Sequence, residues 1–169
     1  MSCALTTSFS IGCLDNVGGI EAFYIGNWGT MGAVTQNASG MVTGITGSAF
    51  MYTYEAEKAT STLNEGVQVS RENGTVYYEQ TASYVLFKSS QDKRNEIKLL
   101  AQALLTVIVK DKNGKYWLMG QNAGVRLEPS TTEWGTALGD KNGYTLNFKA
   151  EEANPMPEVD SSIVAALLA

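Results

Sequence analysis

The chain has 169 residues, of which 44% are hydrophobic and only 17% are charged. This length and apolar content suit one folded domain with its own core, and they exclude disorder driven by high charge. Because the chain contains no histidine, a Ser-His-Asp triad, a Cys-His pair and most zinc sites are also excluded.

Two cysteines, Cys3 and Cys13, lie near the N-terminus. Two thiols cannot complete a structural zinc site, and one pair is no disulfide framework, so small apolar roles are favoured and pairing stays open. The first residues lack the basic and apolar regions of a signal peptide. The apolar run 163–169 is far shorter than the roughly 18 residues of a membrane span. We therefore expect a protein made and folded in the cytoplasm, without membrane attachment.

The net charge of −5 conceals three blocks of alternating sign. Residues 1–87 carry seven acidic and two basic side chains, residues 88–126 carry three and eight, and residues 127–169 carry seven and two. A nucleic-acid-binding protein would have a dominant basic face. The blocks are compatible with neutralisation inside one molecule, or with head-to-tail contacts between copies that close into a ring.

In chain order, residues 20–25 and 49–54 have the composition of strands, whereas the glycine-rich segment 31–47 fits either strands or a loop over the sheet. A long hairpin is predicted over residues 66–87. Its turn is Asn73-Gly74, a sequence typical of type I′ turns. The second arm is long and partly polar, so we expect it to leave the body of the domain.

One amphipathic helix is predicted over residues 90–104, with Ser89 or Ser90 as its N-cap. Its apolar side chains repeat at helical spacing, which favours packing on the core over a cofactor site. These helix-packing residues are Ile97, Leu100, Ala101 and Leu104.

The rest of the chain is predicted to be mostly strands, with hairpin turns at Asn113-Gly114 and Asn142-Gly143. Residues 128–139 are expected to form a loop, and the tail from Glu151 is expected to leave the sheet. The predicted strands are 105–109, 115–119, 125–127 and 144–149.

No catalytic or metal-binding motif stands out. Asp140, Asn142 and Glu151 match part of a calcium loop, but the residues between them do not fit. The adjacent Glu151 and Glu152 would point to opposite faces of a strand, so they do not form a pair for glycoside hydrolysis. We therefore expect no enzymatic activity, no cofactor and no metal.

Three stretches of the sequence carry a family resemblance: GCLDNVGGIEAFYI at 12–25, VIVKDKNGKYWLMG at 107–120 and GTALGDKNGYTL at 135–146. They resemble virion structural proteins of phages that infect Bacteroidetes, including crAss-like phages, and the order of elements is similar to the tail-tube fold. The resemblance implies one mainly β domain over 1–169, a β-sandwich or barrel with one α-helix and a long protruding hairpin. It also implies an N-terminal arm at 1–16 and a C-terminal arm at 151–169 that bind neighbours.

The implied function is that of a structural subunit of the virion tail. Copies would form a homo-oligomeric ring or tail tube, a hexamer or dodecamer, that contacts other tail proteins. DNA would pass through its lumen during genome ejection without specific binding. The hairpin residues expected to face the lumen or a neighbouring copy are Val67, Val69, Arg71, Glu72, Asn73, Gly74, Val76, Tyr78 and Glu79.

The alternative is a monomeric carbohydrate- or surface-binding β-sandwich. Such a module would use exposed aromatic rings, and Trp28, Trp117 and Trp134 are the candidates, although packing inside the protein or between subunits is favoured for them. A carboxylate-based hydrolase is the least favoured reading, because histidine and a spaced carboxylate pair are both missing.

Overall fold

The computed structural model describes residues 5–47 and 50–169. The described part contains eleven β-strands, one 3-10 helix and two α-helices. The strands are β1 (Ile20–Asn27), β2 (Val34–Gln36), β3 (Val42–Ile45), β4 (Met51–Glu55), β5 (Thr62–Ser70), β6 (Thr75–Phe87), β7 (Leu105–Asp111), β8 (Tyr116–Met119), β9 (Arg126–Glu133), β10 (Gly143–Glu152) and β11 (Glu158–Val159). The helices are the 3-10 helix Trp28–Thr30, α1 (Gln91–Gln102) and α2 (Ser161–Leu167).

The strands form two sheets. The seven-stranded sheet has the order β2-β3-β11-β8-β7-β1-β4, and the four-stranded sheet has the order β5-β6-β10-β9. Neighbouring strands are antiparallel, except that β11 meets β3 in a parallel bridge. The predicted mainly β, sandwich-like class is confirmed.

The main core lies between the two sheets. Along β10 every second side chain is buried, because successive side chains of a strand point to opposite faces. They meet apolar residues from β1, β6, β7 and β8 of the sandwich. Central members of this core are Phe23, Val107, Tyr84, Leu146 and Phe148.

A second core lies on the other face of the seven-stranded sheet, where α2 covers it. Val164 and Leu167 of α2 pack in one cluster with Ile108 and Leu118 of the sheet. The seven-stranded sheet is thus buried on both faces. In its inner strand β7 the five consecutive residues 105–109 are buried, and all of them except Thr106 are apolar.

Helix α1 begins where one of the two predicted caps lies. The Ser90 hydroxyl accepts a hydrogen bond from the Lys93 N–H at 3.3 Å, so Ser90 and not Ser89 is the N-cap. Leu100 is buried in the main core, and Ile97 packs against it. Ala101 is exposed, which contradicts its predicted place in the core, because it lies on a shallow surface groove.

Leu104 lies beyond the helix, which ends at Gln102, although the prediction placed it inside. Its side chain is partly buried, and a Cβ added at Gly124 would come within 2.7 Å of its Cγ. Leu104 therefore packs on the turn after β8 rather than within the predicted stripe of α1.

The C-terminal part differs from the prediction of a single helix and of a tail that leaves the sheet. Val159 lies opposite both Val42 and Tyr116, so β11 joins the seven-stranded sheet. The Asp160 side chain then caps α2 by accepting a hydrogen bond from the Ser162 N–H at 2.9 Å. Helix α2 was missed because a helix of 7 residues has little stability of its own. It is stabilised by tertiary packing, through the burial of Val164 and Leu167.

Residues 128–133 form most of β9, where a loop was predicted. Pro129 lies there at an irregularity in an edge strand, a place where the missing proline N–H is tolerated. The glycine-rich segment 31–47, left open between strands and a loop, contains β2 and β3.

The Asn-Gly turns differ from the predicted type I′ geometry. Gly74 and Gly114 have φ values of 63° and 79°, but neither preceding asparagine is among the residues with positive φ. Type I′ requires positive φ at both central positions. The first turn is instead a four-residue connection, since Ser70 lies opposite Thr75. Gly143 lies within β10, so Asn142-Gly143 is not a hairpin tip.

Candidate assembly surface

Strands β5 and β6 pair antiparallel from Thr62, which lies opposite Ser83, to Ser70, which lies opposite Thr75. On its other side β6 pairs with β10, whose last residue Glu152 lies opposite Tyr78. Beyond Tyr78 the two strands therefore pair only with each other within the described structure. That this hairpin protrudes as an assembly arm stays a prediction.

Near its turn, the β5–β6 hairpin has an apolar side on the face that is directed to the core elsewhere in the sheet. Val67 lies opposite Tyr78, and Val69 lies opposite Val76, so the four side chains share one face. The same face carries Ala82 into the core further along β6. The three valines are 57%, 63% and 54% exposed in chain order. We call Val67, Val69, Val76 and Tyr78 the apolar patch.

The opposite face of the four-stranded sheet is polar, and we call it the outer face. It continues from β5 and β6 across β10 to β9. Its charged strand residues are four carboxylates and two cations, so it is acidic. They are Glu79, Glu128, Glu133, Glu151, Arg126 and Lys149.

One ion network links two strands of the outer face. Glu79 and Glu151 lie directly opposite each other, which would be repulsive without a cation between them. The Lys149 Nζ lies 3.4 Å from a Glu79 oxygen and 3.2 Å from a Glu151 oxygen. Hydrogen bonding to Glu151, aided by the charge of Glu79, raises the pKa of Lys149 above its usual value. The amine thus stays charged while it bridges both carboxylates.

A buried polar network fixes the base of the hairpin. Gln80 is only 1% exposed, and its Oε1 accepts a hydrogen bond from the Gly120 N–H at 3.0 Å. Its amide group donates to Glu65 at 3.4 Å, and Glu65 accepts from the Met156 N–H at 2.6 Å. These bonds tie β5 and β6 to the turn after β8 and to the segment after β10.

Sequence reasoning missed Gln80, although a signal existed. Gln80 occupies an inward position of β6, in alternation with Ala82 and Tyr84. A polar side chain at such a position needs a hydrogen-bond partner. The alternation could therefore have marked it as an anchor.

The predicted hairpin residues divide into three groups. Four of them form the apolar patch. Arg71, Glu72, Asn73 and Gly74 form the exposed turn. Glu79 lies on the outer face, paired with Lys149. The structure thus places in three separate locations the residues that were predicted to face either the lumen or a neighbouring copy.

The residues considered for calcium have other partners. The Asp140 carboxylate accepts hydrogen bonds from the Ala137 and Thr136 N–H groups at 2.7 and 2.8 Å, and these bonds lower its pKa. Glu151 is paired with Lys149 on the outer face. Over residues 5–47 and 50–169, no group of three or more Cys, Asp or Glu side chains could hold a metal ion.

Glu152, considered beside Glu151, is a buried structural carboxylate. Its Oε1 accepts hydrogen bonds from the Asn122 and Ala123 N–H groups at 2.9 and 2.8 Å. It continues the inward alternation of β10, so it closes the turn between β8 and β9 instead of facing solvent.

The three tryptophans have separate surroundings. The Trp28 indole N–H donates to the Gln121 carbonyl at 3.4 Å, and the Trp117 indole N–H donates to Asp111 at 3.2 Å. Trp134 is 61% exposed, with the Arg94 guanidinium 5.8 Å from its ring centre. Two of the three polar N–H groups are thus used inside the fold.

The N-terminal segment up to Asn16, predicted as an arm, has no regular secondary structure over its described part. Cys13 is exposed. Cys3 and its pairing lie outside the described residues.

Comparison with known proteins found no match to a family model, to a curated protein or to a solved structure. Among the described residues, no helix is both long enough and apolar enough to cross a membrane.

Proposed function

We propose that this chain is a structural subunit of a phage tail, located in the virion, and that its copies assemble into a ring or tube around a lumen for DNA. The observation that carries the proposal is the apolar patch. Its valines continue the core-facing alternation of β5 and β6, yet the patch begins level with the last residue of β10 and extends beyond it, and the valines are more than half exposed.

Association between copies would cover this patch. Burying a valine side chain contributes roughly 1.5–3 kcal/mol, so a cluster of exposed valines favours a contact that removes them from water. The free edge of β5 lies beside the patch, because β5 is the terminal strand of its sheet. A barrel closed by hairpins of several copies would pair that edge.

The polarity of the two faces supports an orientation for the subunit. If the apolar patch faces a neighbour, the outer face is directed to the lumen. Its carboxylates outnumber its cations, and Lys149 is held by two of them. An acidic lining would repel phosphates, so DNA would pass without the sequence-independent binding that basic surfaces produce. The resemblance of the sequence to virion tail proteins supports the same reading.

The experiment is imaging of the purified chain by negative-stain electron microscopy, with mass photometry for subunit number. Closed rings or tubes of uniform symmetry are expected. A second protein, in which a short glycine-containing turn replaces residues 70–78, should stay folded but form no closed rings or tubes. A clean monomer of the unaltered chain at micromolar concentration would contradict the proposal, and glycan binding by that monomer would support the carbohydrate-binding alternative.

A further inference from the structure

The described N-terminal segment has the pattern of a strand but pairs with no other described strand. Leu5, Phe9 and Ile11 are at least 99% exposed. They lie at odd positions, where Thr7 is the one polar residue of the segment, and the even positions 6, 8, 10 and 12 hold Thr, Ser, Ser and Gly. Such a period of two is typical of a strand with one buried face. The segment Leu5–Cys13 therefore has one apolar side that nothing in the described chain covers.

A matching open edge exists on β4, the terminal strand of the seven-stranded sheet. The Ala169 N–H donates to the Met51 carbonyl at 2.8 Å on the side away from β1, so the backbone of Met51 points outward. By alternation the N–H and C=O of Thr53 also point outward. Beyond this C-terminal contact, the outward backbone groups of Thr53 pair with no other described strand.

A cavity of about 760 Å³ lies beside the same edge, between β1, β4 and α1. Its walls include the apolar residues Ile25, Leu100 and Leu105. Tyr52 and Leu99, each 59% exposed, also line it. A strand added to β4 would place alternate side chains over this cavity, because Tyr52 on β4 already contributes to the wall.

We propose that the segment Leu5–Cys13 of one copy adds a strand to the β4 edge of the next copy, with an apolar side chain of the segment entering the cavity beside α1. Main-chain hydrogen bonds would supply affinity, and the fit of alternate side chains would supply specificity. The inference rests on the proposed function in one respect, namely that copies of the chain associate.

The departure of the segment from its own domain favours a neighbouring copy as the acceptor. The Val17 N–H donates to the Asn113 side-chain oxygen at 3.0 Å, and the Asn113 amide donates to the Val17 carbonyl at 2.8 Å. The chain is thus held at the turn between β7 and β8 before β1 begins. In the sheet, β7 and β4 flank β1 on opposite sides, so the segment starts on the side away from its own β4 edge.

The first test uses a fluorescent peptide of residues 5–13 with Cys13→Ser, titrated onto the full chain carrying Phe9→Asp and Ile11→Asp. These substitutions disable the chain's own segment at positions that are fully exposed, so the fold is kept. Saturable binding at one peptide per chain is expected. A peptide carrying the same two aspartates should bind about tenfold more weakly or worse, because it loses the apolar contacts.

Two acceptor variants locate the site. Thr53→Pro removes an N–H on the open edge without touching the pairing with β1, which edge strands tolerate. We expect a loss of about tenfold or more in peptide affinity, whereas Thr53→Ala should bind like the parent. Leu99→Asp on α1, at a half-exposed position, should weaken binding to a similar extent through the cavity. Unchanged affinity in both Thr53→Pro and Leu99→Asp would overturn the proposal.

A mixing experiment separates this inference from the proposed function. The donor-defective chain (Phe9→Asp, Ile11→Asp) and the acceptor-defective chain (Leu99→Asp) are each expected to lose this contact, and their mixture should regain it as heterodimers in native mass spectrometry. Rings that form normally from the donor-defective chain would refute strand addition and leave the ring proposal intact. Peptide binding by a chain that never forms rings would support strand addition and refute the ring.

Discussion

Val69 and Val76 lie directly opposite each other close to the turn of the β5–β6 hairpin, and both side chains are more than half exposed. Facing valines are a stabilising cross-strand pair, yet in the described structure both side chains stay largely open to solvent. Substitution of these two valines is therefore the most direct test of the proposed assembly.

Val69→Asp combined with Val76→Asp should abolish the formation of closed rings or tubes, because burial of two facing carboxylates in an interface is strongly unfavourable. The domain should stay folded, since neither side chain belongs to the core. Sedimentation velocity at micromolar concentration measures the change. The matched control is Gln68→Asp on the opposite face of the same strand, and an equal loss of assembly in that variant would argue against a patch-specific contact.

Charge on the outer face should control contact with DNA. The unaltered assembly is expected to show weak binding to double-stranded DNA at physiological salt. Glu79→Lys with Glu151→Lys should create binding whose affinity falls steeply as salt rises, because neutralised phosphates release counterions. Fluorescence anisotropy across a salt series measures it. The double substitution Glu79→Gln with Glu151→Gln separates loss of repulsion from gain of attraction, and tight binding by the unaltered protein would count against an acidic lumen.

Glu152→Ala should destabilise the domain by about 1–3 kcal/mol, because it removes the acceptor for two backbone N–H groups at the turn between β8 and β9. Urea denaturation followed by circular dichroism measures the free energy of unfolding. Glu152→Gln keeps a side-chain oxygen at the same place and should lose less. If Glu151→Ala, the exposed neighbour, were equally destabilising, the buried bonds would not be the cause.

Tyr84 should make the domain sensitive to alkaline pH. Burial, followed by the effect of Glu55, raises the pKa of Tyr84 from 10.0 to about 12. The folded state thus holds the proton more tightly than the unfolded chain, so this contribution is complete below pH 10 and is lost as pH rises towards about 12. Tyr84→Phe should show a shallower alkaline loss of stability in urea denaturation.

At neutral pH, Tyr84→Phe should instead lower the free energy of unfolding. The Tyr84 hydroxyl donates to the Glu55 carbonyl at 2.9 Å, so its removal should cost about 0.5–1.5 kcal/mol there. Tyr77→Phe serves as the control for removal of an exposed hydroxyl. A parallel pH dependence for Tyr84→Phe and the unaltered chain would show that Tyr84 does not carry the effect.

Strong local patterns in the sequence predicted most of the fold. The strand predicted at 144–149 lies within β10, along which buried and less buried side chains alternate. Ser90 was one of two candidate caps for α1, and only its hydroxyl has the geometry to accept the Lys93 N–H. The strand β6 matches its predicted range 75–87 because the run of Tyr, Val and Thr has no breaker within it.

The missed elements depend on contacts that are distant in the chain. β11 is a strand only because Val159 lies between Val42 and Tyr116, and α2 is stabilised by the core beneath it. β9 was hidden by Pro129, which is acceptable there because of the edge position. No pattern within a short stretch of sequence indicates such long-range contacts or the edge position of a strand.

The candidate site was predictable in membership but not in arrangement. Alternation along each strand separates Val67 from Glu79 in either register, because successive side chains point to opposite faces. The pairing across the hairpin was not predictable: the four-residue turn sets Val67 opposite Tyr78, whereas a two-residue type I′ turn at Asn73-Gly74 would set it opposite Gln80. The cavity beside the β4 edge could not be predicted, because it lies between an edge strand and a helix that are more than 40 positions apart in the chain, as the Tyr54–Glu96 hydrogen bond shows.

The unequal covering of the two sheets has a consequence for how this protein can evolve. The seven-stranded sheet is covered on both sides by apolar clusters, so replacements at its buried positions change packing. On the outer face of the four-stranded sheet, most side chains are exposed or only partly buried. Substitutions there can change the charge of the surface without disturbing either core, so the chemical character of that face can change while the architecture is kept.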